Sequence, residues 1–467
     1  MTEWEPVVGL EIHIHLKTRT KMFCRCEVAY GAPENTLTCP VCLAHPGSLP
    51  VPNRRAIEMT MRLGLALGCD IPRRAVFHRK NYFYPDNPKG YQISQYDEPL
   101  CVDGRVLVPG PSGDTAVGIV RAHLEEDVAK NVHVGGAEGR IGGADRTLVD
   151  FNRAGAPLVE IVTEPDIHSL DQARRFLQLL RQTVVELGIS DAEMERGSLR
   201  FDVNVSVRPA ETDELRTRTE LKNMNSFAFA VKGIGREVER QIAIYEAGGT
   251  VEQETLHFDP AHESAPPLRS KEEAQDYRYF PEPDLVPIEP DRALVDRLRA
   301  GLPELPARRI RRLEADVGFD LAEGLVTSGR DRLFGAVPGE RRAVANVLMN
   351  ELAGAGVDHA AVKPDELGKL IDARSTIPRA AFTEALAHSA DPDFSAEAYL
   401  GEAAIADTEA LLPIVERILG ENAGQVAAYR NGKIGLLGFF VGQVMRETQG
   451  KADARVVNQL VRERLER

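Results

Sequence analysis

Two segments of the chain alternate strictly between apolar and polar residues. The first runs from Leu10 to Leu16 and the second from Leu199 to Arg208. Because side chains alternate between the two faces of a β-strand, each segment predicts a strand with one apolar and one polar face. The polar faces would carry Glu11, His13 and His15 on the first strand and Arg200, Asp202, Asn204, Ser206 and Arg208 on the second.

The pattern changes along the chain and predicts an α+β protein in three parts. Residues 1–290 mix strand patterns with a few helices and end in the proline-dense run Phe280 to Pro290, which cannot continue regular structure. Residues 291–405 follow the period of short amphipathic helices, as in Arg308 to Glu314. The last segment, 408–467, differs in charge, because it has nine basic and seven acidic residues and the rest of the chain has a net charge of −16.

Composition and charge narrow the class of protein. The chain has 467 residues, of which 43% are hydrophobic and 27% charged, so it folds into several cores and is not disordered, collagenous or disulfide-stapled. The net charge of −14 argues against a chain that binds nucleic acid over its whole surface, but allows local basic patches. The start lacks a basic leader and the apolar run Ile434 to Met445 is too short to span a bilayer, so we expect a cytoplasmic protein with no membrane contact.

Candidate metal ligands lie on the polar face of the first strand and after the strand-like segment Val117 to Ala122. Neighbouring Glu11, His13 and His15 could hold an ion between them, or form the wet face of a half-buried strand. The segment His123 to Asp127 contains three adjacent carboxylates, which suit Mg²⁺ on nucleotide phosphates. A solvated acidic turn is the alternative.

Four of the six cysteines fall within nineteen residues, as Cys24, Cys26, Cys39 and Cys42. Two close pairs of thiols favour tetrahedral Zn²⁺ over a disulfide framework, with four buried free thiols as the alternative. Cys69 and Cys101 are isolated thiols.

The segment Phe77 to Tyr96 combines several aromatic residues with the cations Lys80 and Lys89. Such a segment can stack and neutralise a nucleotide or an RNA end, or form a packed aromatic loop. The chain has no phosphate-binding P-loop and no complete dinucleotide fingerprint, so a nucleotide would bind in another way.

Several long motifs together resemble one family, the B subunits of bacterial aspartyl/glutamyl-tRNA(Asn/Gln) amidotransferases. Besides the cysteine pairs, the motifs run from Val8 to His13, Arg79 to Pro85, Lys89 to Gln95, His123 to Asp127, Val149 to Gly155, Glu160 to Asp166, Lys222 to Ser226, Asp276 to Asp284, Gly442 to Arg446 and Gly450 to Ala452.

The resemblance implies a glutamine-synthetase-like cradle domain with a zinc-binding insertion at 24–42, then a helical domain and a tRNA-binding tail. It implies ATP-dependent phosphorylation of the side-chain carboxylate of Glu or Asp misattached to tRNA, followed by attack of ammonia. The implied cofactors are ATP, Mg²⁺ and Zn²⁺. The implied partners are misacylated tRNA, an amidase-type glutaminase subunit, and a small third subunit that completes a heterotrimer.

The resemblance also implies roles for single residues. Magnesium would be held by Glu11, His13, Glu125 and Glu126, with Glu160 and Asp202 as weaker candidates for a second ion. Nucleotide contacts would come from Glu11, Glu125, Glu126 and Lys130. The active cavity and the ammonia path would be lined by Lys80, Tyr82 and Lys89, and Asp202 is also a candidate catalytic residue.

Two departures and two competing functions accompany this interpretation. His15 stands where the family commonly has Gln, and Asp127 to Lys130 reads Asp-Val-Ala-Lys where the family has Asp-Ala-Gly-Lys. A noncatalytic zinc-containing tRNA-binding subunit is the alternative function, and a freestanding ligase similar to glutamine synthetase is the third. Which misacylated tRNA is used is left open.

Overall fold

The computed structural model describes residues 3–136, 143–224, 226–257, 267–269, 276–400, 407–448 and 452–466. Asn225, Gly450, Lys451 and Arg467, which belong to predicted motifs or to the tail, lie outside the described residues. Contacts divide the chain into two compact units, Met1–Arg308 and Arg309–Arg467. The proposed three-part division at 290 and 405 stays a prediction.

The first unit is rich in strands, as the alternating segments predict. Its strands are β1 Trp4–His15, β2 His78–Asn81, β3 Tyr91–Ser94, β4 Cys101–Gly110, β5 Gly113–Glu126, β6 Lys130–Val134, β7 Arg146–Asp150, β8 Pro157–Thr163, β9 Leu199–Pro209, β10 Thr219–Met224, β11 Thr255–His257, β12 Pro267–Arg269 and β13 Phe280–Pro281. Its helices are α1 Arg54–Ala66, α2 Leu170–Glu186, α3 Phe227–Glu246 and α4 Arg292–Ala300.

Eight strands form the main sheet in the spatial order β12-β11-β10-β9-β1-β8-β5-β4. Among the strands of the described residues, only β10 and β11 pair in parallel. Strand β1 therefore lies near the centre, between β8 and β9, although β8 and β9 follow it by about 150 residues or more in sequence. The sheet brings together polar residues that are far apart along the chain.

The predicted alternation of β1 is confirmed by its burial. Leu10, Ile12 and Ile14 are almost completely buried, whereas Glu11 and His13 are half-buried on the other face. Helices α1, α2 and α3 pack against strands of this sheet. Helices α2 and α3 begin at serine residues whose hydroxyl oxygens accept a backbone N–H from the first turn, which stabilises the helix ends.

Two small sheets accompany the main sheet. In one, β2 pairs with both β3 and β13, and in the other β6 pairs with β7. The aromatic segment Phe77 to Tyr96 therefore contains two short paired strands joined by a loop. The ring of Phe83 at its tip is 85% exposed. The guanidinium of Arg79 on β2 forms a two-pronged ion pair with the carboxylate of Glu282, which follows β13.

The described part of the second unit is helical, as its amphipathic pattern predicts. Its elements are α5 Pro306–Val317, α6 Phe319–Thr327, α7 Asp331–Ala336, α8 Arg341–Asn346 with a π-helical turn Val347–Leu352, α9 Pro364–Asp372, α10 Arg379–His388, α11 Glu397–Leu400, α12 Thr408–Glu421, α13 Ala423–Arg430, α14 Leu437–Glu447 and α15 Ala454–Leu465. Helix α5 begins at the end of the first unit. Helices α12, α14 and α15 share an apolar core that includes Leu411, Phe440 and Val461.

No helix among the described residues combines the length and the apolarity that crossing a membrane requires.

Candidate active site and cysteine cluster

One row of polar side chains crosses four adjacent strands of the main sheet. His13 on β1 lies opposite Arg200 on β9 and opposite Glu160 on β8, and Glu160 in turn lies opposite His123 on β5. Directly opposed residues of antiparallel strands project from the same face, so the four side chains line one surface. The register of the paired strands, and not the conformation of a loop, brings these four residues together.

Two carboxylates and two imidazoles lie close together at this row. Nε2 of His13 lies 3.4 Å from a carboxylate oxygen of Glu160 and 3.7 Å from one of Glu125. Nε2 of His123 lies 3.6 Å from the same oxygen of Glu160. Ligand atoms of His13, Glu125 and Glu160 all lie within 4.8 Å of one another, so these three residues could hold a metal ion.

Glu11 and Asp202 occupy the next row of the same face, where they lie opposite each other on β1 and β9. The amide nitrogen of Asn204 donates a hydrogen bond of 3.2 Å to Glu11. Burial, followed by the negative charge of Glu160, raises the pKa of Glu11. The carboxylate of Glu11 therefore interacts electrostatically with the row of His13, which lies two residues further along β1.

The electrostatics of the row favour a bound cation. Burial, together with the negative charge of Glu160, raises the pKa of Glu125 to about 7. Burial lowers the pKa of His123 to about 4, so this imidazole is neutral at pH 7. Burial also opposes the charge of His13, but the hydrogen bond to Glu160 and the charge of Glu125 outweigh it and raise the pKa. Two closely spaced carboxylates are stabilised in their ionised form by a cation.

Lys80 on β2 supplies a positive charge beside these acids. Its Nζ lies 4.8 Å from the centre of the Tyr277 ring. Burial alone would lower the pKa of Lys80, but the negative charges of Glu125 and Glu160 raise it. Lys80 therefore stays protonated next to the row.

Tyr277 and Tyr279 lie beside Lys80, and each contacts a second tyrosine ring. The rings of Tyr82 and Tyr277 meet edge to face with centres 6.3 Å apart, and those of Tyr96 and Tyr279 stack 4.4 Å apart. Tyr277 and Tyr279 were not predicted as site residues. Both tyrosines precede β13, and the pairing of β13 with β2, together with a hydrogen bond of 3.0 Å from the backbone N–H of Asn81 to the carbonyl of Tyr277, brings them to Lys80.

Glu126 has different partners from Glu125. Its carboxylate contacts Nζ of Lys89 and accepts a hydrogen bond of 3.0 Å from the backbone N–H of Ile93. Strand β5 continues through Glu126, so adjacent acids project to opposite sides. Of the proposed magnesium ligands, the structure brings His13, Glu125 and Glu160 together, whereas Glu11 lies in the next row and Glu126 pairs with Lys89.

Asp127 completes this acidic segment and is also buried. Its carboxylate lies 2.7 Å from Nε2 of His15 and 3.3 Å from guanidinium nitrogens of both Arg153 and Arg200. Burial works against its charge, but the two arginines and His15 lower the pKa of Asp127 well below its usual range. The alternative of a solvated acidic turn is wrong, because Glu125, Glu126 and Asp127 are only 3–5% exposed.

Two further predicted residues lie at the edge of the site. Nζ of Lys222 on β10 lies 3.5 Å from Asp202 and 3.2 Å from Glu220. Lys130 is exposed at the start of β6, three residues after Asp127. Neither Asp202 nor Lys130 belongs to the group formed by His13, Glu125 and Glu160.

A cavity of about 140 Å³ adjoins Glu11 on the polar face. Thr163, Asn204, Arg216 and Arg218 contribute polar atoms to its lining, and Val162 and Pro165 contribute apolar surface. A cavity that combines apolar walls with arginines beside an acidic cluster is suited to an anionic ligand with a flat apolar part.

The four clustered cysteines meet as the spacing predicts. Their sulfurs all lie within 4.8 Å of one another, and Sγ of Cys42 lies 3.9 Å from Sγ of Cys39. A tetrahedron with Zn–S bonds of about 2.3 Å has edges of about 3.8 Å, so the residues fit a zinc ion. A hydrogen bond with Cys24 and the charge of Lys21 lower the pKa of Cys42 to about 4.

Comparison with known proteins identifies the family of this chain. Residues 6–296 match a family described as the GatB/GatE catalytic domain, and residues 336–465 match one described as the GatB domain. The chain is 46% identical to the B subunit of the aspartyl/glutamyl-tRNA(Asn/Gln) amidotransferase of Thermobifida fusca, over 99% of this chain and 94% of that protein. It is 45% identical to the protein of the same name from Anaeromyxobacter sp. strain K, over 100% and 99% of the two chains. The chain therefore belongs to the family of aspartyl/glutamyl-tRNA(Asn/Gln) amidotransferase B subunits.

Proposed function

We propose that this chain carries out the ATP-dependent transamidation of misacylated Glu-tRNA(Gln), Asp-tRNA(Asn) or both. The observation that supports this function best is the buried group of His13, Glu125 and Glu160 with Lys80 beside it. Burying two carboxylates this close together is costly unless a cation compensates them. A protein that only bound tRNA would have no use for such a group.

The reaction would proceed in two steps. An oxygen of the side-chain carboxylate attacks the γ-phosphorus of ATP, which gives an acyl phosphate and ADP. The nitrogen of ammonia then attacks the carbonyl carbon, the C–O bond to phosphate breaks, and the nitrogen loses a proton to leave the amide. Phosphorylation is needed because a free carboxylate offers no good leaving group.

Residues of the row would bind the metal and the phosphates. Mg²⁺ would be held by His13, Glu125 and Glu160, with Glu11 in the next row, and would screen the charge of the transferred phosphoryl group. Lys80 is near enough to contribute a second positive charge at the same place. Asp202 and Lys130 remain candidates for contacts at the edge of the site.

The cavity beside Glu11 is the proposed place for the nucleoside part of ATP. Its arginines, Arg216 and Arg218, can pair with phosphates, and its apolar walls can contact a base. The cavity is lined by Glu11, which lies in the row next to that of His13. A phosphoryl donor must bind close to the metal ligands in this way.

The remaining family properties extend the proposal to the whole chain. We infer a glutamine-synthetase-like cradle over 1–290, a helical domain over 291–405 and a tRNA-binding tail over 408–467. Cys24, Cys26, Cys39 and Cys42 would bind structural zinc. Ammonia would come from an amidase-type glutaminase partner and would pass Tyr82 and Lys89. A small third protein would hold the two larger subunits of the heterotrimer together.

Substitution of Glu125 tests the proposed activity. Glu125→Gln keeps the shape of the side chain and removes its charge, so it should reduce phosphorylation by labelled ATP of the carboxylate on misacylated tRNA by at least 100-fold. Glu5→Gln is the matched control, because Glu5 lies on the same face of β1 but pairs with Arg208 at the far end of the strand. Phosphorylation at the normal rate by the Glu125→Gln variant would refute the assignment.

A further inference from the structure

Lys21 is completely buried, yet it carries a charged group. Its Nζ donates hydrogen bonds to the backbone carbonyl of Phe151 at 3.1 Å and to Sγ of Cys42 at 3.6 Å. Within the described parts of the chain, no acidic side chain lies at ion-pair distance from it. An ammonium group in such a place needs another negative partner, because an unpaired buried charge is strongly unfavourable.

The cysteine cluster can supply that negative charge. Four thiolates around Zn²⁺ carry a net charge of −2, since the ion neutralises only two of them. Cys42 is the buried member of the cluster and the one that Lys21 contacts. A single ammonium at this sulfur offsets half of the excess charge.

We propose that Lys21 is the positioning residue and charge partner of the zinc site, a role that rests on the proposed binding of zinc. Its ammonium stabilises the thiolate of Cys42 in the loaded site and ties that sulfur to the backbone at Phe151. Groups of this kind outside the ligand set typically change metal affinity by 10- to 100-fold.

Backbone hydrogen bonds next to Lys21 connect the cysteine cluster to the acidic residues at the end of β5. The backbone N–H of Met22 donates to the carbonyl of Gly155, whose own N–H donates to the carbonyl of Asp127. Gly155 has a φ of +85°, and a Cβ at this position would lie 3.4 Å from Cδ of Lys21, 3.6 Å from Cβ of Cys42 and 3.8 Å from Oε2 of Glu126. Lys21 therefore packs between the cluster and the end of β5, where the carboxylate of Glu126 is already paired with Lys89.

The test compares Lys21→Met with the wild-type full-length chain, before and after removal of zinc. Competition with a chromogenic chelator should give a 10- to 100-fold weaker zinc affinity for the variant. Thermal melting should show a smaller rise on adding zinc, while the zinc-free variant melts no lower than the zinc-free wild type, because a buried charge without its thiolate partners has been removed. Lys21→Arg, which keeps the charge, should recover part of the affinity.

Lys17→Met is the matched control, because Lys17 makes an exposed ion pair with Asp191. The zinc affinity of this variant should equal that of the wild type. If Lys21→Met yields no folded protein, Lys21→Gln serves in the same comparison. Equal losses of stability with and without zinc, or an unchanged affinity, would overturn the role of Lys21. Wild-type protein that binds no zinc would instead refute the zinc site itself, and with it this role.

Discussion

His13 and Glu160 lie directly opposite each other on adjacent antiparallel strands, with Nε2 of the imidazole 3.4 Å from a carboxylate oxygen. Both residues are held by strands within the sheet, so the backbone fixes their separation. Catalytic groups on such elements are positioned more accurately than groups on loops. We expect the geometry of this pair to persist when substrate binds.

Manganese binding tests the pair as metal ligands. Glu160→Gln removes one charged ligand from a group of three, so we expect at least tenfold weaker binding of Mn²⁺, used as a spectroscopic substitute for Mg²⁺. Electron paramagnetic resonance titration of the free ion measures this change. Glu5→Gln is again the control, and unchanged Mn²⁺ binding by the Glu160 variant would exclude this residue from the metal site.

The ion pair of Lys89 and Glu126 should matter for stability. Lys89→Met leaves the Glu126 carboxylate buried without its cation, so we expect a loss of about 3 kcal/mol in the free energy of unfolding. The double variant Lys89→Met, Glu126→Gln removes both charges and should recover much of that loss. Urea unfolding measures both effects, and equal losses in the two variants would contradict the expected coupling.

Zinc should account for the structure of the cysteine loop. We expect about one zinc per chain, and Cys39→Ala should abolish binding and make residues 23–43 exchange amide hydrogens faster than the rest of the chain. Cys101→Ala is the matched control, because Cys101 is a buried thiol outside the cluster. Metal analysis and hydrogen exchange give the measurements. Wild-type protein that is fully folded but contains no zinc would contradict this prediction.

The tail should bind tRNA through its basic residues. The segment 408–467 has nine basic and seven acidic residues, whereas the rest of the chain has a net charge of −16. Arg455 and Arg462 lie on one exposed face of α15 with Asn458 and Gln459. Replacing both arginines by Ala should lower the slope of log affinity against log salt by about 2.

Filter binding across a salt series measures this slope. Arg464→Ala is the control, because Arg464 pairs with Glu416 within the tail. Deletion of 408–467 should weaken tRNA binding further while nucleotide binding persists. An unchanged slope and affinity after the deletion would place the tRNA site elsewhere.

The isolated chain, without a partner subunit, should be limited in the nitrogen donor that it can use. Its two isolated thiols, Cys69 and Cys101, are buried and cannot act as an accessible glutaminase nucleophile. We therefore expect the isolated chain to use ammonium but not glutamine, and to use glutamine once an amidase-type partner is added. Amide formation on misacylated tRNA with each donor measures this, and glutamine hydrolysis by the chain alone would contradict it.

The sequence predicted the strands of the site better than their arrangement. The alternation from Leu10 to Leu16 gave the correct faces of β1, because period-2 burial is a local property. The opposition of His13 and Glu160 depends on which strands pair, and β8 lies far from β1 in sequence. Local patterns do not contain that choice.

The acidic segment illustrates a second limit. The three adjacent carboxylates were expected after the end of a strand, where they could face one ion together. Strand β5 instead runs through Glu126 and turns Glu125 and Glu126 to opposite sides. The exact end of a strand depends on the pairing of its neighbour, here Glu126 with Pro157.

The alternation of β1 has a consequence for how this site can change during evolution. Inserting or deleting a single residue within the strand would exchange its two faces, sending Glu11 and His13 into the apolar core and Leu10 and Ile12 to the surface. Foldability and chemistry would be lost in the same event. We therefore expect this strand to vary by replacement of one residue by another, and gains or losses of sequence to fall in the loops at its ends.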